Sequence, residues 1–331
     1  MSVKTKIRKV VLISVISIIG LAVFSLPIWA KKITIRMASA YPPGHLCVKA
    51  GEKFAELVEQ QSEGEIVVKI FSGGAMGGER ENIEMLKQGT IEMVTSGLMP
   101  LHMLAVEYSF FDAPYIFPDY EQWERAWASP IGNKAKEILL NNNIQILGHY
   151  LRGFRETTAN KPIYTPEDLK GVKMRIPQDP TWLKIWSRLG AVCTAVPLTE
   201  LYSSLQTGVC EASEGPFPQI YSYKLQEVQK YLILTHHLPS VGLIEINKSF
   251  LNSLDKHYQK IILEAGKEAA RYVDEELTEK VNAELIIKLQ KEGMTVVIPD
   301  ADAFKNKAEP IIKELFSTVW NVTTWEEILS Y

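Results

Sequence analysis

Twice in this chain a helix stops at a glycine and runs directly into a strand, and the two copies match in form. Leu86-Lys87-Gln88-Gly89-Thr90-Ile91-Glu92-Met93 pairs with Leu205-Gln206-Thr207-Gly208-Val209-Cys210-Glu211-Ala212. Each copy has a helix end, a glycine suited to the left-handed position that closes helices, and a strand with an acid three residues after the glycine. Such joints belong to layered helix–strand folds. Two matching joints predict two related lobes, with a cleft between them as the place for a small ligand.

The surrounding pattern agrees. Strands are predicted at 33–38, 65–71 and 91–95, with helices at 49–61 and 79–87 between them, an order that implies a largely parallel sheet. Further strands are predicted at 144–150 and 241–247, near crossings between the lobes. Residues 254–291 form a long charged amphipathic stretch without proline, one helix or two in tandem, ended by Gly293. A strand at 294–298 and a helix at 303–316 complete the chain. The expected division is a leader at 1–30, a first lobe of 31–152 plus 241–280, and a second lobe of 153–240 plus 281–331.

Lys4, Lys6, Arg8 and Lys9 precede an apolar run from Val10 to Leu26, and Ala30 closes the segment. This is the layout of a secretory signal peptide; the length of the run leaves an uncleaved anchor open. Loss of residues 1–30 would remove four basic residues and no acids, taking the net charge from −3 to −7. An acidic balance argues against nucleic-acid binding. Cys47, Cys193 and Cys210 form no metal-type cluster, and three buried thiols are expected.

Residues 165–177, TPEDLKGVKMRIP, predict a short capped turn, a stop at Gly171 and a half-buried strand. Val172, Met174 and Ile176 give that strand an apolar face, while the other face carries Arg175 near the strand end, where α/β folds bind ligands. A guanidinium there can grip a carboxylate through two parallel hydrogen bonds; a solvent-exposed strand arginine is the competing reading. The sequence contains no GxSxG, HExxH or Walker A pattern. The Gly-rich run at 73–78 is read as a loop entering a helix. His236 and His237 are read as a strand-end pair facing opposite ways, not as metal ligands. Glu211 and Glu214 are placed on one strand with opposite facings, so they do not form an acid–base pair. No metal, cofactor or catalytic residue is called for.

Six segments occur in order: Gly153-Phe154-Arg155-Glu156-Thr157-Thr158-Ala159-Asn160, the 165–177 stretch, Pro197-Leu198-Thr199-Glu200-Leu201-Tyr202, Leu205-Gln206-Thr207-Gly208-Val209, Glu214-Gly215-Pro216 and Glu227-Val228-Gln229-Lys230-Tyr231-Leu232. With Asp112-Ala113-Pro114-Tyr115 and the 86–93 joint, this resembles the DctP-type extracytoplasmic solute-binding proteins of tripartite ATP-independent periplasmic (TRAP) transporters, over nearly the whole chain from Ile33. The resemblance implies an α/β, two-lobed periplasmic-binding-protein fold of type II kind, with a long helix spanning both lobes. It implies a periplasmic, monomeric protein that is not an enzyme. Such a protein captures a small organic acid and delivers it to the small and large membrane subunits of a permease, with uptake driven by an ion gradient. A ligand carrier for a sensor or chemoreceptor and an exported enzyme remain as alternatives.

Residue by residue, the resemblance assigns Arg175 to the ligand carboxylate and Arg155 as its assistant. Gly215 stands where the family often has Asn, so a side-chain amide is lost there. Phe217 and Trp182 are expected as apolar walls, Leu198 as a lining residue, and Tyr41 and His45 as cleft-facing residues of the first strand–helix loop.

Overall fold

The structure, a computed structural model, describes residues 32–331. The expected signal peptide or anchor lies outside the described residues, and among these no helix is long and apolar enough to cross a membrane. Among the described residues nine strands form one sheet: β1 Ile33–Ala38, β2 Ile66–Phe71, β3 Met93–Ser96, β4 Ile144–Ala159, β5 Lys173–Ile176, β6 Val192–Ala195, β7 Ala212–Pro216, β8 Tyr231–Asn247 and β9 Thr295–Val297. Their order is β2-β1-β3-β8-β4-β7-β5-β6, with β9 beside β8.

The sheet is mixed, which corrects the largely parallel expectation. Its flanks are parallel: β1 with β3, and β5 with both β6 and β7. Its centre is antiparallel: β3 with β8, and β4 with both β8 and β7. The difference comes from β4 and β8, which run 16 and 17 residues where much shorter strands were predicted. Residues 144–151 of β4 pair with 241–247 of β8 on one half of the sheet, and 154–159 pair with 231–239 on the other. The unpredicted halves, the later part of β4 and the earlier part of β8, hold buried polar residues such as Arg155, Glu156, Thr235 and His237, so they lack the apolar alternation that marks a strand.

At the join the ladder slips between Leu151 and Phe154. Gly153 adopts φ +105 there, and a Cβ on it would lie 2.3 Å from the Asn282 side chain. Only glycine takes this backbone at this approach without strain. Over the sheet, helix Lys256–Tyr272 continues through a π-type turn at Val273–Leu277 into helix Thr278–Lys291. The first part packs on helix Leu46–Gln61 and the second on helix Phe217–Ser222, so one helical run touches both halves.

The repeated joints are present. Gly89 and Gly208 are left-handed, at φ +75 and +73, and lead into β3 and β7. The 165–177 stretch forms its turn at Pro166–Leu169, with the Asp168 carboxylate accepting from Thr165 N–H at 3.0 Å, and then β5. Helix Leu46–Gln61 starts earlier than predicted because His45 caps it, Nδ1 accepting the Cys47 N–H at 3.0 Å. All three cysteines are free thiols; Cys47 and Cys210 are buried and Cys193 is half-buried.

Candidate functional site

The ends of β5 and β7, the loops after β1 and β3, and the bulge of β4 line one partly open cavity. Its wall includes Tyr41, Arg155, Arg175, Trp182 and Leu198, all singled out from the sequence. It also includes Glu79, Gly97, His102, Arg152 and Gln219, which were not.

Arg175 is 3% exposed on β5. Its Nε and Nη2 both donate to the Val196 carbonyl, at 3.0 and 2.8 Å, which holds the guanidinium plane fixed. Among the described residues it forms no ion pair within 4 Å. Burial lowers its pKa, a sign of how strongly the site penalises a lone cation. It is a preorganised donor without an anion.

Arg155 is different. Its Nε and Nη2 clasp both carboxylate oxygens of Glu214, the Nη2 contact at 2.6 Å. His237 Nε2 lies 3.2 Å from the same carboxylate. Burial alone would raise the Glu214 pKa, but Arg155 and His237 outweigh it and hold the group at about 2. The guanidinium carbon of Arg155 also sits 5.1 Å over the Trp182 ring, and Trp182 Nε1 donates to the Asp112 carbonyl at 2.6 Å. Arg155 therefore reaches the cavity wall with its fork already filled.

Opposite, Arg152 Nη1 donates to the Tyr41 hydroxyl at 2.7 Å, and Tyr41 donates onward to Glu79 Oε1 at 3.0 Å. Gly97 N–H donates to the same oxygen at 2.7 Å. Arg152 and Glu79 thus balance each other through a tyrosine. Beneath them, Ser96 Oγ lies 2.7 Å from the Gly97 carbonyl and 2.6 Å from a Glu245 oxygen. One hydroxyl hydrogen cannot serve both, so Glu245 carries a proton and donates to Ser96. Burial agrees with this geometry, pushing Glu245 up to about 8.

Also on the wall, His102 bridges two acids, with Nδ1 2.7 Å from Asp179 and Nε2 2.9 Å from Asp112. Burial works against its charge, yet the two carboxylates raise its pKa to about 10, so the imidazolium is a fixed cation. Asp179 also caps helix Pro180–Leu189, which carries Trp182.

Three expected lining residues are not on the wall. His45 is fully buried behind Tyr41, its ring stacked at 4.1 Å on the tyrosine. Phe217 opens helix Phe217–Ser222 half-buried outside the cavity, and it is Gln219 of that helix that lines the cavity. Gly215 is covered by the Gln219 carboxamide. His236 and His237 do face apart, but within β8 rather than at a strand end: His236 stacks on Phe154 at 3.8 Å while His237 turns to Glu214. Glu214 lies on β7, but Glu211 is exposed just before it. Among the described residues no cluster of His, Cys, Asp or Glu is arranged to hold a metal.

Of the residues missed, Arg152 had the faintest signal. Residues three apart on a regular strand face opposite sides, but the slip at Gly153 lets Arg152 and Arg155 share one wall. Glu79 and Gln219 sit in the first turns of helices, where an acid or amide reads as ordinary helix chemistry.

The model of bacterial extracellular solute-binding protein family 7, DctP, matches residues 37–318. The 2,3-diketo-L-gulonate-binding periplasmic protein YiaO of Escherichia coli (strain K12) is 30% identical over 270 residues, covering 81% of this chain and 82% of its own. The sialic acid-binding periplasmic protein SiaP of Vibrio cholerae is 29% identical over 292 residues, covering 86% and 89%. A TRAP periplasmic solute binding protein from Roseobacter denitrificans with bound L-galactonate superposes with a TM-score of 0.83 at 28% identity, over 90% of this chain and 99% of the other. The sugar acid binding protein DctPAm from Advenella mimigardefordensis in complex with galactonate gives 0.85 at 25% identity, over 91% and 97%.

Proposed function

We propose, from the premise that this chain belongs to bacterial extracellular solute-binding protein family 7, that it captures a small organic acid with Arg175 as the carboxylate anchor. The family is one of two-lobed α/β binding proteins rather than enzymes, working outside the cytoplasm with TRAP permeases. One observation carries the reading: a buried guanidinium, fixed by the Val196 carbonyl, lines the cavity with no carboxylate in contact among the described residues. A carboxylate leaving water needs matched donors, and an isolated buried cation needs an anion; each supplies the other. The relatives' ligands point the same way, since diketo-gulonate, sialic acid and galactonate are all carboxylic acids.

In this reading Trp182 and Leu198 form apolar walls, and Arg155, held by Glu214, shapes the floor. The first lobe is 31–152 plus 241–280 and the second 153–240 plus 281–331, hinged where β4 and β8 cross. The protein works as a monomer without a cofactor and catalyses no reaction. It is exported by residues 1–30 and hands its ligand to a small and a large membrane subunit.

A thermal-shift screen against organic acids tests this. Ligand at 100 times its dissociation constant should stabilise the protein by about 2.7 kcal/mol. Arg175→Met should abolish the shift; a shift that survives it, or no shift with any carboxylate, overturns the anchor.

A further inference from the structure

The space over Gly215 is filled from elsewhere. A Cβ at 215 would lie 2.3 Å from Gln219 Nε2 and 2.8 Å from its Cδ, so the Gln219 carboxamide occupies the volume that a side chain on β7 would take. Gln219 is 1% exposed and on the cavity wall. Its Nε2 donates to the Glu214 carbonyl at 3.1 Å. The reverse amide orientation would set two acceptor oxygens against each other, so the nitrogen edge is fixed on the backbone. Oε1 is left without a donor among the described residues, and it is not among the sealed polar atoms of the interior. Because Gln219 lines the cavity, this oxygen is the amide edge available to a ligand there.

We propose that Gln219 is a specificity-determining residue, whose Oε1 accepts a hydrogen bond from a ligand hydroxyl, so that the cavity selects hydroxy acids over their deoxy and keto counterparts. This rests on the organic-acid reading above and adds to it the partner of a group other than the carboxylate. The chemistry follows from the atom presented. A fixed carbonyl-type oxygen accepts but does not donate, so a hydroxyl satisfies it. A keto oxygen opposes it, and a methylene leaves it stripped of water and unpaired. A helix-borne amide held by the Glu214 carbonyl is also more rigid than a free side chain, which sharpens the selection.

The test is calorimetry on aldonic acids and the matching deoxy and keto acids, each hydroxyl removed in turn. In the wild-type protein one position should show a preference for the hydroxyl of about ten-fold or more. Gln219→Met should shrink that preference to within about two-fold while leaving the deoxy acid's affinity nearly unchanged, a split that a purely structural role would not give. Should Gln219→Met fold poorly, the double variant Gly215→Asn with Gln219→Ala returns an amide to the same space from β7 and should restore the preference. No preference at any position in the wild type, or one that Gln219→Met leaves intact, overturns the proposal while the anchor at Arg175 stands. Failure of every acid to bind overturns the organic-acid reading itself.

Discussion

The cavity has two walls that handle charge in opposite ways. On the β5 side, Arg175 is tied only to a carbonyl, with no carboxylate in contact among the described residues. On the side of β1 and β3, Arg152 is answered by Glu79 through the Tyr41 hydroxyl. Between them Arg155 is closed directly by Glu214. Of the three buried arginines around the cavity, Arg175 alone touches no acid, directly or through a bridging hydroxyl, among the described residues. A buried charge without its counter-ion is a cost to folding that a ligand can remove, whereas a closed pair serves the fold. The difference separates a binding group from scaffolding that resembles it.

The largest expected effect tests the closed pair. Glu214→Gln strands Arg155 and should destabilise the protein by about 3–5 kcal/mol in denaturant unfolding. A loss under 1 kcal/mol would mean that Arg155 is as open as Arg175, and the contrast would collapse. The same pair sets acid behaviour. With its folded pKa near 2, below the 4.5 of a free glutamate, Glu214 contributes stability above pH 4.5 that is lost as pH falls toward 2.

Next comes the open side. Arg175→Met should weaken acid binding by about 2–5 kcal/mol in calorimetry. Because it removes an unpaired buried cation, the ligand-free variant should melt no lower than the parent. A variant that melts well below the parent would show Arg175 to be structural too.

Glu245 probes the floor under the balanced wall. Its folded pKa near 8 lies above the free value of 4.5, so the folded state holds a proton that the unfolded state releases between those limits. Glu245→Gln removes that penalty. The gain should be absent below pH 4.5, reach roughly 3 kcal/mol at pH 7 and level off above pH 8. Thermal or urea melts across this range check it, and a gain independent of pH would mean that Glu245 is ionised. The smallest effect is at Tyr41. Tyr41→Phe breaks the bridge between Arg152 and Glu79 and should cost about 1 kcal/mol of stability. Its effect on acid binding should be much smaller than that of Arg175→Met.

How far these walls were readable follows from local regularity. Arg175 sits on a strand of simple alternation, framed by a capped turn and Gly171, so its face and its position at the strand end followed from four residues. Trp182, Leu198 and Tyr41 were read as wall residues for the related reason that they lie in the loops and first turns that follow strand ends. Arg155 was found as a cavity residue, but its partner Glu214 lies on another strand, and pairing across strands leaves no mark in one sequence. Arg152 was hidden because the slip at Gly153 breaks the period that predicts facing. Phe217 and Gly215 were misplaced because a six-residue helix aims Gln219, not its first residue, at the cavity.

By itself the sequence determined the elements and their glycine-set ends, the two repeated joints, the anionic balance and an arginine ready for a carboxylate, because each depends on neighbours within a few residues. Only the tertiary structure decided that β4 and β8 are long antiparallel crossings, that Arg155 is spoken for while Arg175 is not, and that Gln219 fills the place above Gly215. Those outcomes depend on which buried groups from distant segments meet, and burial makes each unmet charge or hydrogen bond costly enough to settle the arrangement.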